Sequence, residues 1–161
     1  MKACGFENGE ADFVAPDLSF DHLGLVCSDL SLGRSFLSRT ISVGDWTASF
    51  TDPIQKVHVQ FGRDRGGMVY ELIAPSETGS PIAKSLKSRQ NILNHVAYRT
   101  NDLAAAAAHL EAAGCLAVSM PDPAVAFGGA LIQFFYSPLD FIIELIEQDQ
   151  SRHIFEPLPQ D

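Results

Sequence analysis

One unit of the sequence occurs twice, and this internal duplication limits the folds that the chain can adopt. A period this long that occurs only twice predicts two paired supersecondary modules, and not a solenoid of many repeats. Three pairs of matching residues or short runs share an offset of 73 positions (95 minus 22): His22 and His95, Asp29-Leu30 and Asp102-Leu103, and Glu71-Leu72-Ile73 and Glu144-Leu145-Ile146.

Each unit carries the pattern of one strand, one helix and three further strands. Alternation of apolar residues predicts the first strand, and Asp29 and Asp102 are predicted N-caps of the two helices. A short helix, 82–88, is predicted between the units because Pro81 precedes it. The predicted elements of unit one are strand 19–27, a helix to about 39, and strands 46–51, 57–62 and 68–73, and those of unit two are strand 93–99, helix 103–113, and strands 116–120, 130–136 and 141–147.

The pattern predicts an α+β fold in a single compact domain, which 161 residues with 46% hydrophobic content can support. We predict an N-terminal arm at 1–18, the domain at 19–147 and a C-terminal tail at 148–161. Within the domain, the predicted parts are module one at 19–75, a connector at 76–92 and module two at 93–147.

Composition excludes several classes of partner. The formal net charge of -9 argues against nucleic acid, since phosphate binding depends on clustered Lys and Arg. No apolar run approaches the ~20 residues that a membrane span needs, and the N-terminal stretch is too acidic for a signal peptide. Cys4, Cys27 and Cys115 are widely scattered, as expected of reduced thiols. We therefore expect a cytoplasmic protein that acts on a small molecule.

Each unit supplies one histidine from its first strand and one glutamate from its last. The interval is 49 residues in both units (71 minus 22 and 144 minus 95). The alternation of the strands places His22 and His95 on the concave side of the predicted sheet. Glu71 and Glu144 lie in otherwise apolar strands, where an unpaired carboxylate would cost several kcal/mol. A hydrogen-bonded core histidine or a solvent-facing glutamate explains any one position, but the repeated set predicts a divalent first-row metal site.

The segments FDHLGLVCSDL, YELIAPSETGSPIAKSL, LNHVAYRTNDLAAAAAHLEAAG and FIIELIE span most of the domain. By these motifs the chain resembles the vicinal oxygen chelate superfamily (glyoxalase/bleomycin resistance), and within it most closely the methylmalonyl-CoA epimerase group. The resemblance implies two βαβββ modules packed edge to edge, with curved mixed sheets that form a concave metal-binding cleft. It also implies a homodimer, with a Co, Ni, Zn, Mn or Fe ion on His22, Glu71, His95 and Glu144.

The chemistry implied by the resemblance is proton transfer next to a carbonyl that is chelated to the metal, through an enolate. The substrate would be an acyl-CoA thioester or a small hydroxy-carbonyl compound. The sequence departs from the epimerases at three places. Glu71 replaces their usual glutamine, a loop glutamate is missing near Ile54 with Asp52 the only acid nearby, and their GAHG-like segment is replaced by VAFGGA.

Five residues complete the predicted site. If the apolar residues of strand 57–62 face the helix, then His58 and Gln60 face the cleft, and Gln133 follows Gln60 by 73 positions. Both glutamines are predicted to line the pocket. His58 and Glu144 are the candidates for general base. Arg99 is a candidate to bind a substrate carboxylate.

Three alternatives remain open at this point. A lyase similar to lactoylglutathione lyase fits Glu71 well. A ring-cleaving dioxygenase needs two histidines and one carboxylate, so that a second carboxylate argues against it. A non-catalytic binding or resistance protein would generally lose the ligand residues. Outside the ligand set, Lys84, Lys87 and Arg89 are predicted either to meet a CoA phosphate or to keep a helix face solvated.

Overall fold

The computed structural model describes residues 16–89, 93–147, 153 and 155. The predicted N-terminal arm therefore lies outside the described residues as far as position 15, and the predicted tail does so except for His153 and Phe155. The elements in chain order are β1 (Leu18–Val26), α1 (Leu30–Thr40), β2 (Asp45–Trp46), β3 (Phe50–Asp52), β4 (Val57–Arg63), β5 (Val69–Pro75), α2 (Ala83–Ser88), β6 (Leu93–Thr100), α3 (Leu103–Ala112), β7 (Leu116–Ala117), β8 (Asp122–Pro123), a 3₁₀ helix (Val125–Phe127), β9 (Leu131–Tyr136) and β10 (Ile142–Glu147).

The strands form one mixed sheet in which the two modules meet along β1 and β6. Eight strands follow the order β2-β4-β5-β1-β6-β10-β9-β7, while β3 pairs with β4 and β8 pairs with β9. The β1–β6 pair is antiparallel, whereas β5 runs parallel to β1 and β10 runs parallel to β6. The predicted α+β fold of two βαβββ modules joined edge to edge is therefore confirmed.

Helices α1 and α3 cover the same relative face of each module. The Asp29 carboxylate accepts the Leu32 N–H at 3.1 Å and the Asp102 carboxylate accepts the Ala105 N–H at 2.9 Å, so both predicted N-caps are confirmed. Behind α1, Leu37 and Trp46 pack on Leu72 in a buried cluster, and a second cluster lies behind α3. In the described part of the chain, the longest helix is α1, with 11 residues. No helix there is long and apolar enough to cross a membrane.

The strand predicted at 46–51 is broken into β2 and β3. Thr47 still donates its backbone N–H to the Phe61 carbonyl at 2.9 Å, but the Thr47 hydroxyl, and not its carbonyl, accepts the Phe61 N–H at 3.1 Å. The Thr47 carbonyl accepts instead from the side-chain amide of Gln60 at 2.8 Å. The ladder therefore stops at Thr47, because a side chain replaces one of its backbone acceptors.

Module two contains the same break, and its predicted strand 116–120 shortens to β7. The Ser119 hydroxyl accepts the Phe134 N–H at 3.0 Å, and the Ser119 carbonyl accepts the side-chain amide of Gln133 at 3.2 Å. Gln60 and Gln133 therefore have equivalent roles in the two repeats. Each donates a side-chain hydrogen bond to the backbone carbonyl that the broken strand leaves unpaired.

Candidate metal centre and cavity

The register of the four central strands brings together the four residues predicted as metal ligands. Gly24 lies between Glu71 on β5 and His95 on β6, whereas Ala97 lies between His22 on β1 and Glu144 on β10. All four side chains are buried on the face of the sheet opposite α1 and α3. The small residues between them matter, because a Cβ built on Gly24 would lie 2.3 Å from Cε1 of His95.

The ligand atoms of these four residues form a close cluster. The two Nε2 atoms of His22 and His95 are 3.0 Å apart. Glu71 Oε2 and Glu144 Oε2 each lie 3.4 Å from His22 Nε2 and 3.1 Å from His95 Nε2. Atoms bound at about 2.0–2.2 Å to a tetrahedral metal lie roughly 3.3 Å from one another, so the spacing fits a single ion at the centre.

The hydrogen bonds around the cluster turn the Nε2 atoms of both histidines toward its centre. His22 Nδ1 donates to Asp21 Oδ1 at 2.6 Å, and His95 Nδ1 faces Asn94 Oδ1 at 3.1 Å. When both imidazoles are neutral and carry their protons on Nδ1, the two Nε2 lone pairs point at each other. Within the described residues, Glu144 Oε2 also makes no hydrogen bond although it is buried. A cation resolves both problems, so the donor set fits a metal.

The charges of the cluster shift the pKa values of its members strongly. Burial by itself lowers the pKa of His95, but Glu144 and Glu71 outweigh it and raise that pKa to about 9. Burial likewise opposes the charged form of His22, yet Asp21, Glu144 and Glu71 raise its pKa well above the usual range. The metal-free cluster therefore holds protons that a metal ion must displace when it binds.

A β-bulge immediately precedes each of the two histidines. It turns the side chain of the extra residue toward the metal centre. Phe20 and His22 pair with the adjacent residues Tyr98 and Ala97, so Asp21 is an extra residue in β1. Because of the bulge, both the Asp21 and the His22 side chain reach the metal-centre side of the sheet. Asn94 is the extra residue of β6, 73 positions after Asp21. The shared offset was visible in the sequence, although the part of Asp21 and Asn94 was not predicted.

A cavity of about 370 Å³ opens onto three of the four ligand residues, His95, Glu71 and Glu144. Its walls are largely apolar and come from both modules, from α2 and from the 3₁₀ helix. The other lining residues are Asp52, Gln55, Val57, Val59, Ile73, Pro81, Ile82, Ser85, Asn94, Val118, Ser119, Ala124, Ala126, Phe127, Ile132, Phe134 and Ile142. The cavity matches the predicted cleft and offers a binding space next to the candidate metal centre.

The predicted face of β4 is wrong, and with it the placement of His58 and Gln60. Val57 and Val59 line the cavity, so alternation along the strand turns His58 and Gln60 to the opposite face. His58 contacts the Thr51 hydroxyl at 2.9 Å near the surface. Gln133 is turned away from the cavity in the same manner, since its neighbours Ile132 and Phe134 line it. The two glutamines therefore brace broken strands and do not line the pocket.

Arg99 does not face the cavity either. Its Nε donates to Asp21 Oδ2, and its guanidinium group lies 5.5 Å from the ring centroid of Phe127. The positive charge of Arg99 is thus paired with a carboxylate next to the metal centre. Lys84, Lys87 and Arg89 are exposed on and just after α2, near the rim formed by Ile82 and Ser85.

Comparison with known proteins places this geometry in a family. Residues 21–136 match the model of the glyoxalase/bleomycin resistance protein/dioxygenase superfamily. No curated protein matches the sequence closely enough to count as a relative.

Solved structures share the fold at low sequence identity. A hypothetical protein of Bacillus halodurans matches with a TM-score of 0.72 and 21% identity, over 84% of this chain and 98% of its own. The methylmalonyl-CoA epimerase of Mycobacterium tuberculosis matches with a TM-score of 0.67 and 24% identity, over 81% and 87%. A mutant 4-hydroxymandelate synthase of Streptomyces coelicolor matches with a TM-score of 0.60 and 18% identity, over 86% of this chain and 51% of its own. Since the family model spans more than half of the sequence, this chain belongs to the glyoxalase/bleomycin resistance protein/dioxygenase superfamily, the vicinal oxygen chelate superfamily that its motifs predicted.

Proposed function

We propose that the protein is a metal-dependent isomerase or lyase, which moves a proton next to a carbonyl group of its substrate. The observation that carries this proposal is the position of Glu71, His95 and Glu144 in the wall of a largely apolar cavity. A substrate in that cavity would have its carbonyl beside the metal centre and most of its remaining atoms against apolar side chains. Apolar walls lower the local dielectric constant, which strengthens electrostatic effects on the reacting atoms.

His22, Glu71, His95 and Glu144 would hold a divalent cobalt, nickel, zinc, manganese or iron ion. When bound, this ion supplies a Lewis acid that makes the C–H bond beside the carbonyl acidic. The two carboxylates balance the charge of the ion, so the centre would be neutral overall.

Glu144 is the residue proposed to move the proton, which requires that its carboxylate leave the ion when the substrate binds. Its carboxylate lines the cavity, and within the described residues its Oε2 atom makes no hydrogen bond. His22 and His95 oppose the effect of burial and lower its pKa, which keeps the carboxylate ionised and able to accept a proton.

Glu71 and Glu144 both line the cavity, but their ligand atoms lie within 4.8 Å of each other in the metal centre, and not on opposite sides of a substrate. Asp52 also lines the cavity, but its Oδ1 accepts two backbone N–H groups at 2.9 Å and its Oδ2 accepts the Val125 N–H at 3.3 Å. Both carboxylate oxygens of Asp52 therefore already accept backbone hydrogen bonds, which makes Asp52 a poor candidate for a second base. This arrangement supports a transfer in which Glu144 both removes the proton and returns it to a neighbouring atom, as an isomerase or lyase does, over inversion by two bases.

The substrate class is proposed from the cavity and from the solved structures that share the fold. A methylmalonyl-CoA epimerase that shares the fold was solved with methylmalonyl-CoA. For an acyl-CoA substrate, Lys84 and Lys87 near the rim are the proposed contacts of the phosphates, outside the cavity. For a small hydroxy-carbonyl substrate, the apolar cavity alone would enclose the molecule. We retain the homodimer and the cytoplasmic location as further proposals, to be tested by light scattering and by cell fractionation.

The test combines metal analysis with isotope exchange. Protein purified without chelator should carry about one divalent ion per chain. In heavy water it should introduce deuterium next to the carbonyl of at least one member of a panel of acyl-CoA thioesters and hydroxy-carbonyl compounds. Glu144→Gln should lose the exchange, whereas Glu147→Gln, three positions further along β10 and on its other face, should retain it.

Three results would count against this function. Absence of stoichiometric metal would favour a binding protein. Iron together with substrate-dependent oxygen uptake would favour the dioxygenase alternative. Exchange that is equal in the wild type and in Glu144→Gln would remove Glu144 from the reaction.

A further inference from the structure

The C-terminal tail contributes a residue to the surroundings of the metal centre. His153 lies outside the duplicated units and beyond residues 21–136, which match the family model. Its Nε2 atom lies 2.7 Å from Asp21 Oδ1, and its ring lies 4.1 Å from the ring centroid of Phe61 on β4. A side chain from the end of the chain thus reaches a carboxylate that contacts the ligand His22.

Asp21 accepts hydrogen bonds from three side chains at once. His22 Nδ1 donates to Oδ1 at 2.6 Å, His153 Nε2 donates to the same oxygen, and Arg99 Nε donates to Oδ2. An ionised carboxylate can only accept, so the Nδ1 atom of His22 must carry the proton. The free Nε2 lone pair of His22 is therefore directed at the metal centre.

Because Asp21 is a bulge residue, its carboxylate needs these hydrogen bonds to stay in one orientation. An extra residue in a strand lies outside the regular ladder, so backbone pairing does not fix the direction of its side chain. Arg99 donates to one carboxylate oxygen, whereas among the described residues the other oxygen accepts from His22 and His153. Without His153, the carboxylate would keep its ion pair with Arg99 and lose one of the contacts that orient it toward His22.

The second module provides an internal comparison. His95 Nδ1 faces the neutral side chain of Asn94 at 3.1 Å, and Asn94 lines the cavity. Asp21, His22, Arg99 and His153, by contrast, are all absent from the cavity wall. Among the residues that the structure describes, the metal centre is thus open to the cavity on the His95 side, while a group that includes His153 occupies the His22 side.

We propose that His153 is a positioning residue of the metal centre: by donating to Asp21 it holds that carboxylate, and through it His22, in the orientation that binds the ion. This inference rests on the proposed metal-dependent function. It assigns the C-terminal tail a part in metal affinity, and it places substrate entry on the Asn94 and His95 side.

Two substitutions of His153 separate its hydrogen bond from its packing. His153→Phe keeps an aromatic ring against Phe61 but removes the donor, whereas His153→Gln keeps an N–H donor without the ring. Phe155→Leu is the control for packing, because Phe155 packs against the apolar cluster that contains Phe61 and its ring centroid lies 6.2 Å from that of His153, while its side chain has no hydrogen-bond donor. All variants are made in the full-length chain, and their folding is checked by circular dichroism and urea unfolding.

Metal affinity is measured by competition with a chelator, for Zn²⁺ and for Co²⁺, and the visible absorption of the Co²⁺ form reports on its ligands. We expect His153→Phe to weaken binding by about 10-fold, the lower end of what the loss of a direct partner of a ligating histidine costs, because His153 acts on His22 through Asp21. Its Co²⁺ spectrum should also change. His153→Gln and Phe155→Leu should bind within about threefold of the wild type and keep its spectrum, because neither removes the donor to Asp21.

Several outcomes would overturn this role of His153, and one of them would also overturn the proposed metal-dependent function. Wild-type affinity in His153→Phe, or an equal loss in Phe155→Leu, would show that the hydrogen bond is not what matters. Binding of two ions by the wild type, with one lost in both His153 variants, would make His153 a ligand. If the wild type binds neither Zn²⁺ nor Co²⁺, the proposed metal-dependent function fails together with this inference, whereas the other outcomes leave that function standing.

Discussion

Gly24 offers a direct test of how tightly the metal centre is packed. Replacement by alanine would place a Cβ 2.3 Å from Cε1 of His95 and 2.5 Å from both of its ring nitrogens. Atoms at such distances overlap, so the imidazole would have to move by about 1 Å to reach an ordinary contact. His95 is 3% exposed and borders the cavity, and a shift of its ring into that space would separate its Nε2 atom from the other three ligand residues.

The size of the expected effect follows from this displacement. A metal–ligand distance tolerates a deviation of about 0.2 Å, so a shift of about 1 Å removes His95 from the ligand set. We expect Gly24→Ala to lower Zn²⁺ affinity by at least about 100-fold, the upper end of what the loss of an outer partner costs. Overpacking of the strand pair should also destabilise the metal-free protein by about 1–3 kcal/mol.

The assay is chelator competition together with urea unfolding of the metal-free protein. Gly33→Ala is the control, because its Cβ would meet Leu72 Cδ2 at 3.0 Å and Cys27 Sγ at 3.1 Å, away from the ligands. Its close contacts oppose the helix propensity that alanine adds to α1, and metal affinity should stay within about threefold of the wild type, since no ligand moves. Zn²⁺ affinity in Gly24→Ala equal to that of the control would refute the packing described here.

Three further predictions concern other parts of the site. Because carboxylates raise the pKa of His95 to about 9, protons should compete with the metal, and affinity should fall as the pH is lowered from 9 to 6; chelator competition at several pH values that shows no such fall would contradict this. Asp52→Ala should lower the free energy of unfolding in urea by about 1–3 kcal/mol, because three loop N–H groups, including that of Val125, lose their acceptor, while metal affinity stays unchanged. His58→Ala should leave deuterium exchange within about twofold of the wild type, because its side chain lies on the other face of β4; a larger loss in exchange assays would restore it as a candidate base.

The duplication made most of the fold and the four-residue cluster predictable. An offset of 73 positions that joins His22 to His95 and Glu71 to Glu144 requires the same strand positions in both modules. Since side chains alternate along a strand, equal positions imply equal faces, and two such faces meet when the first strands pair. Strand ends and helix caps followed from local residues in the same way.

The face of β4 could not be read from alternation alone, because both of its sides are largely buried. Val57 and Val59 form an apolar cavity wall, while Gln60 is buried on the other side through its bond to the Thr47 carbonyl. A polar residue in such a strand can therefore be buried through a hydrogen bond to the backbone, and does not indicate the face that contacts solvent. For Gln60, this hydrogen bond depends on the break between β2 and β3, which alternation does not predict.

The contacts of Asp21 and His153 depend on information that no local pattern contains. A bulge is a property of two strands in register, so Asp21 alone does not predict one. His153 has no counterpart at an offset of 73 positions in the first unit, since 153 minus 73 gives Ser80. Its place next to the metal centre is set by its contacts with Asp21 and Phe61, which lie far from it in sequence.

The two bulges affect which changes in sequence the site can accommodate. Asn94 contacts one neighbouring imidazole, whereas Asp21 accepts from His22, His153 and Arg99, so replacement of either residue alters these contacts and leaves the strand pairing in place. Deleting either residue would remove the bulge and restore regular pairing with the other side chains on their present faces, because the residues that flank it already pair with consecutive partners. Each bulge therefore adds a second polar side chain to the metal-centre side of the sheet, and a deletion there would remove the contact that orients the neighbouring histidine.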